Sequence, residues 1–183
     1  MAESEFDDFG TLLDPPVYVV TAAAPPAAAQ AAAGAEGAEA GTERSGCLVG
    51  FASQCSIRPP RFMVWLSVLN HTYGVARRAE YLAVHLLDHD GLPLAELFGG
   101  ETGDRVDKFA RTPWRPCGPE GTPVLSGAAA WFLGRVRERH PAGDHVGFLL
   151  DISQVGPASP STAAHGALIS YQDVRDLPPG HPA

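Results

Sequence analysis

The chain has 183 residues, 45% of them hydrophobic and 19% charged, which suits one ordinary globular domain with a sizeable core and leaves too little for a second. Its net charge of -8 and short basic runs, Arg77-Arg78 and Arg135-Val-Arg137-Glu-Arg139, argue against nucleic-acid binding, which needs clustered lysine and arginine. No apolar run approaches the roughly 18 residues that span a bilayer, and the acidic start Met1–Asp8 lacks the regions of a signal peptide, so a cytoplasmic protein is expected, with no membrane contact.

Phe6, Phe9, Leu12 and Leu13 recur at helical spacing until Asp14-Pro15-Pro16 stops the pattern, and Val17–Thr21 follows as a β-branched strand. From Ala22 to Ser45 the chain is almost entirely Ala, Gly, Pro and Glu, which buries too little apolar surface to repay ordering. The expectation is a mobile loop over 22–45 that enlarges a hairpin connection, with partial helix around 27–33. Cys47–Cys55 and Phe62–Val68 read as strands joined by small polar residues and the stiff pair Pro59-Pro60.

Tyr73–Tyr81 reads as a helix, Leu82–Leu87 as a strand, and a short helix runs through Leu94, Leu97 and Phe98. The polar loop Gly99–Val106 leads to Asp107-Lys108-Phe109. Val124–Val136 is read as one long strand, His145–Val155 as another and Ala167–Tyr171 as the last, before a tail at 177–183. Antiparallel strands with short helical connections predict a mainly β barrel with α elements, one domain over 1–183.

Several residues stand out chemically. The small side chains of Ala52, Ser53, Gln54 and Cys55 would let a planar ligand or a phosphate approach backbone N–H groups, or they simply line a sheet corner. Asn70, the only asparagine, reads equally as the N-cap of the following helix or as a ligand contact, and Thr72 carries the same ambiguity beside Leu69. Lys108 is the only lysine among thirteen basic residues, either a dedicated charge for a ligand or an exposed partner of Asp104 or Asp107. Gly143-Asp144-His145 reads as a hairpin turn with a half-buried histidine, or as a functional imidazole held by a carboxylate.

Other patterns are weak. His85 and His89 lie four apart without a third metal ligand, and Gly99–Gly103 lacks the G-K-[ST] ending of a phosphate loop. Cys47, Cys55 and Cys117 are odd in number and show no C-x-x-C spacing, so they read as free thiols in a reducing compartment.

The order of these segments is more specific than any one of them. A strand ending in Val19-Val20-Thr21, a strand running into Ser56-Ile57-Arg58-Pro59-Pro60, a polar turn before a helix, an F-x(n)-K-F segment and a G-D-H strand together resemble the flavin reductase-like family. The resemblance implies an FMN-binding split β-barrel with short helices, forming a homodimer. It implies that Ala52, Ser53, Gln54 and Cys55 stand where the family's T-x-N-S segment meets flavin, with Gln and Cys replacing Asn and Ser. Leu69, Asn70 and Thr72 would form a second phosphate-facing segment, and Phe98 and Lys108 would complete the cofactor set. His145 would lie near the flavin face and the nicotinamide. The implied activity is NAD(P)H-dependent flavin reduction with FMN, or FAD instead, NADH or NADPH as co-substrate, and a monooxygenase as partner. The competing readings are a flavin-binding module without reductase activity, and a pocket for deazaflavin or haem.

Overall fold

The computed structural model describes residues 12–27, 41–156, 167–178 and 180. Nine strands and three short α-helices are present among them: β1 Tyr18–Ala24, β2 Glu43–Val49, β3 Ala52–Ile57, β4 Pro60–Ser67, α1 His71–Ala76, β5 Tyr81–Leu86, α2 Leu92–Gly100, β6 Trp114–Cys117, β7 Thr122–Leu125, β8 Ala130–Ala142, β9 His145–Gly156 and α3 Tyr171–Val174. Two 3-10 turns, His89–Gly91 and Lys108–Arg111, punctuate the connections.

Seven strands form one antiparallel sheet in the order β2-β1-β5-β8-β9-β4-β3. The outermost strands, β2 and β3, are consecutive in the chain and joined only by Gly50 and Phe51. A flat sheet of this order would hold those two strands six spacings apart, so the sheet must curl until its edges meet. The Trp65 N–H donates to the Phe51 carbonyl at 2.9 Å and fixes that corner, yet no ladder joins β2 to β3, so the barrel is split.

Strand alternation divides the core. Val20, Ala22 and Ala24 of β1 pack inside with Leu66, Leu82 and Phe148, while Val17 and Val19 face an outer cluster with Leu87, Phe98 and Leu125. Burial on both faces keeps even the alanines of β1 in the sheet. The β6–β7 hairpin covers the outer side: Thr21 Oγ1 donates to the Pro123 carbonyl at 2.5 Å, and the His85 ring lies between Val19 O at 2.9 Å and the Leu125 N–H at 3.1 Å.

The fold corrects several boundaries. Ala22–Ala24 and Glu43–Ser45, expected within a loop, are paired strand residues, Ala22 opposite both Ser45 and Leu82. Residues 28–40 of that segment lie outside the described residues, as does 1–11 of the first expected helix. The 47–55 run bends at Gly50 and divides into β2 and β3. The helix over 73–81 instead spans His71–Ala76, because β5 begins at Tyr81. The long strand over 124–136 is interrupted between Leu125 and Ala130, where the hairpin returns to the sheet. Leu168 and Ser170 make only isolated bridges to Asp88 and Pro16 before α3. Leu177, expected in a tail, packs against the outer cluster.

Candidate functional site

The start of β2 (Glu43–Gly46), the first residue of α1 and the 103–110 segment enclose an open cleft of about 630 Å³, with Trp114 forming one wall. His71 organises one side. Its Nδ1 lies 3.1 Å from Ser45 Oγ, which is 2.9 Å from Thr72 Oγ1, and its Nε2 stands 3.8 Å from both Glu43 Oε1 and Asp104 Oδ1. Gly103 presses against this ring: a Cβ there would stand 2.7 Å from His71 Nδ1. Glu43 is bonded to Arg78, which anchors β2 to the end of α1.

Lys108 forms the floor. Its Nζ is buried and donates to the carbonyls of Gly46 and Phe98, each at 3.1 Å, with the Phe98 ring centroid 5.3 Å away. Burial pushes the ammonium below the usual lysine range, partly offset by Cys47 and Glu101. On the opposite wall the Arg44 guanidinium lies 5.1 Å above the Trp114 ring.

A second corner lies where β9 begins. Gly143, at φ +64°, makes the two-residue turn between β8 and β9 with Asp144, a conformation that glycine adopts without strain. His145 Nδ1–H donates to Asp144 Oδ1 at 2.8 Å, which leaves Nε2 for another partner and holds the Asp144 carboxyl below its usual range. The ring sits 5.3 Å from that of Phe51, which is itself 62% exposed, and Val68 and Leu69 are exposed as well. The Val68 N–H donates to the Asp144 carbonyl at 2.9 Å, so this corner and the start of α1 are joined by a few residues of chain.

The flavin reductase-like domain family matches residues 12–174, most of the chain. The chain belongs to that family. The 4-hydroxyphenylacetate 3-monooxygenase reductase component of Salmonella typhimurium is 29% identical over 111 residues, 60% of this chain and 65% of that protein, so the chain spans just under two thirds of that relative. The FMN reductase (NADH) of Methylorubrum extorquens is 32% identical over 142 residues, covering 75% of this chain and 66% of that protein. Among solved structures, the flavin reductase domain protein from Arthrobacter sp. FB24 aligns with a TM-score of 0.71 at 18% identity, over 93% of this chain and 91% of that one, which establishes the shared split-barrel fold.

Within this flavin reductase-like domain the sequence-derived residues fall into separate places. Ala52, Ser53, Gln54 and Cys55 lie on β3, an edge strand outside the cleft lining, with the last three side chains exposed. The Gln54 amide donates to the Ser56 carbonyl at 3.0 Å across a bulge in the same strand. Asn70 is the N-cap of α1, its Oδ1 accepting from the Thr72 N–H at 2.9 Å, and Leu69 is exposed beside it. Thr72 is buried, with its hydroxyl bonded to Ser45. Phe98 is core, edge-on to Phe109 at 5.8 Å. Lys108 alone of the set lines the cleft, and it does so from below.

Of the other cleft residues, Arg44 and Ser45 are not singled out by sequence, His71 lies within the 69–72 segment expected to face a phosphate, and Trp114 reads from sequence as a core or dimer-interface residue rather than a stacking platform. The one available signal was Ser45 and Arg44 following a long apolar, acidic tract at the point where polar character returns. Both ring nitrogens of His85 are engaged by backbone groups, and burial lowers its pKa to about 4.

Proposed function

We propose that this domain is an NAD(P)H-dependent flavin reductase that binds FMN, or FAD in its place, and passes the reduced flavin to a monooxygenase. The observation that carries the reading is the family match over 12–174, which includes every element of the cleft and of the His145 corner. The names of two relatives support it, one an FMN reductase (NADH) and one a monooxygenase reductase component.

The cleft suits such a cofactor. Its volume of about 630 Å³ lies within the range of small-molecule sites, roughly 300–1,000 Å³, and it joins an aromatic wall at Trp114 to the cations Arg44, Arg105 and Lys108. Bound flavin supplies hydride acceptance at N5 from the nicotinamide C4. The chain's own part is positional: Arg44 and Arg105 offer charge to a phosphate, His71 and Ser45 offer polar contacts beside it, and His145 presents Nε2 to a nicotinamide carboxamide. Asp144 keeps that imidazole in one orientation. Lys108 acts indirectly, by fixing the Gly46 backbone at the cleft floor.

The placement of Ala52–Cys55 favours a homodimer in this reading. The outer edge of β3 pairs with no strand among the described residues; exposed Phe51 immediately precedes the strand, exposed Ile57 ends it, and exposed Val68 and Leu69 follow its partner strand β4. A second copy seated there would bring these residues to a shared flavin. No helix among the described residues is long and apolar enough to cross a membrane, and three free thiols suit the reducing cytoplasm.

Titrating the purified protein with FMN, FAD and riboflavin, followed by NADH or NADPH, tests the proposal. Saturable flavin binding with nicotinamide oxidation is expected. Tight binding without turnover would identify a carrier instead, and failure to bind any flavin would overturn the cofactor itself.

A further inference from the structure

We propose that Arg44 and Trp114 form a stacking platform for the adenosine phosphate of a nucleotide, with Arg105 as its phosphate partner. The identity of the nucleotide rests on the flavin reductase reading; the platform does not. Arg44 is exposed, on β2, with its guanidinium 5.1 Å over the Trp114 ring, and both line the cleft together with Arg105. Trp114 is held in place by the edge of Phe109, with ring centroids 5.7 Å apart, and by pairing with Leu125 in the β6–β7 hairpin.

The charge balance of the cleft leaves this pair available. Glu43 is bonded to Arg78, Asp107 caps the 3-10 turn by accepting from the Phe109 and Ala110 N–H groups, and Asp104 faces His71. Among the described residues neither Arg44 nor Arg105 forms an ion pair, and Arg44 donates only to the Thr42 carbonyl, at 3.4 Å. A planar, weakly hydrated guanidinium stacked on indole presents its outer face to a nucleobase and its N–H groups to a phosphate. Adenine offers the broad π-face such a platform holds, and it occurs in both NAD(P)H and FAD. Arg115 lies 5.0 Å over Trp131 in a similar stack that does not line the cleft, which makes it the internal control.

The test is an AMP titration of the purified protein by calorimetry, with Arg44→Gln, Trp114→Phe and Arg115→Gln beside the wild type. Saturable binding is expected, weakened about tenfold in Arg44→Gln, reduced in Trp114→Phe and unchanged in Arg115→Gln. Kinetics then separate the source. A rise in KM for NADH that exceeds the rise for reduced nicotinamide mononucleotide assigns the adenosine to the co-substrate, and a loss of FAD binding that exceeds the loss of FMN binding assigns it to the flavin. Absence of AMP binding to the wild type, or equal binding by Arg44→Gln, overturns the proposal. AMP binding requires no turnover, so a platform without reductase activity would contradict only the functional reading.

Discussion

Lys108 donates from Nζ to the carbonyl of Gly46, 3.1 Å away, and so ties the 3-10 turn after the 103–107 segment to the strand that forms the opposite wall of the cleft. The same ammonium reaches the Phe98 carbonyl near the end of α2, at 3.1 Å. One buried cation therefore fastens three segments. Lys108→Met keeps much of the stem but leaves two buried carbonyls without a donor, at a cost of roughly 2–4 kcal/mol. For a domain of this size the expected fall in Tm is about 5–15 °C, measured by thermal melting. FMN and riboflavin binding should weaken alike, and a loss confined to FMN would restore a direct phosphate contact.

Gly46 is the other half of that bond, and it has no room for a side chain. A Cβ there would stand 2.8 Å from Phe98 Cε1 and 3.1 Å from Thr21 Cγ2. Gly46→Ala should destabilise by about 1–3 kcal/mol through overpacking, read as a lower urea midpoint. An unchanged midpoint would mean that the Phe98 ring has room to turn aside.

His85 predicts an acid limb in stability. Burial holds its folded pKa at about 4, below the ordinary value of 6.5. The neutral ring's contribution is therefore complete above pH 6.5 and is lost progressively as pH falls towards 4, because the unfolded chain binds the proton first. The full loss is about 3 kcal/mol. Denaturant midpoints between pH 7.5 and 4 should show this decline, and His85→Leu, though less stable at pH 7.5 because the Leu125 N–H loses its acceptor, should show a flatter one.

Thr122 is fully buried, with a hydroxyl that has no hydrogen-bond partner among the described residues. Replacement by the similarly shaped valine removes that desolvated group. Thr122→Val should be neutral or stabilising by about 1 kcal/mol; a clear loss in the melting temperature would reveal a partner for the hydroxyl.

Much of the sheet was legible because β-branched and apolar runs announce strands at Val17–Thr21, Phe62–Val68 and Leu82–Leu87. Ala22–Ala24 was not, since alanine favours strand only when both faces are covered, as here by the barrel interior and the β6–β7 hairpin. Asn70 showed its capping role through its type and its position before a helix. The cleft was hidden for a long-range reason. Glu43–Gly46 meets His71 and Lys108 only because β2 closes one end of a sheet whose other end is β3, and no local pattern encodes that return. The same two-residue turn at Gly50-Phe51 carries Ala52–Cys55 away from the cleft and onto the open edge. Lys108 stood out by being unique, but uniqueness does not distinguish a cation that holds a ligand from one that holds the backbone.

Anaerobic mixing of the FMN-loaded protein with NADH or NADPH, with the flavin absorbance followed, tests flavin reduction by this domain most directly. Rapid bleaching is expected with at least one of the two nucleotides, slowed by His145→Ala more than FMN binding is weakened. Protein-bound FMN that stays oxidised with both nucleotides would contradict this function.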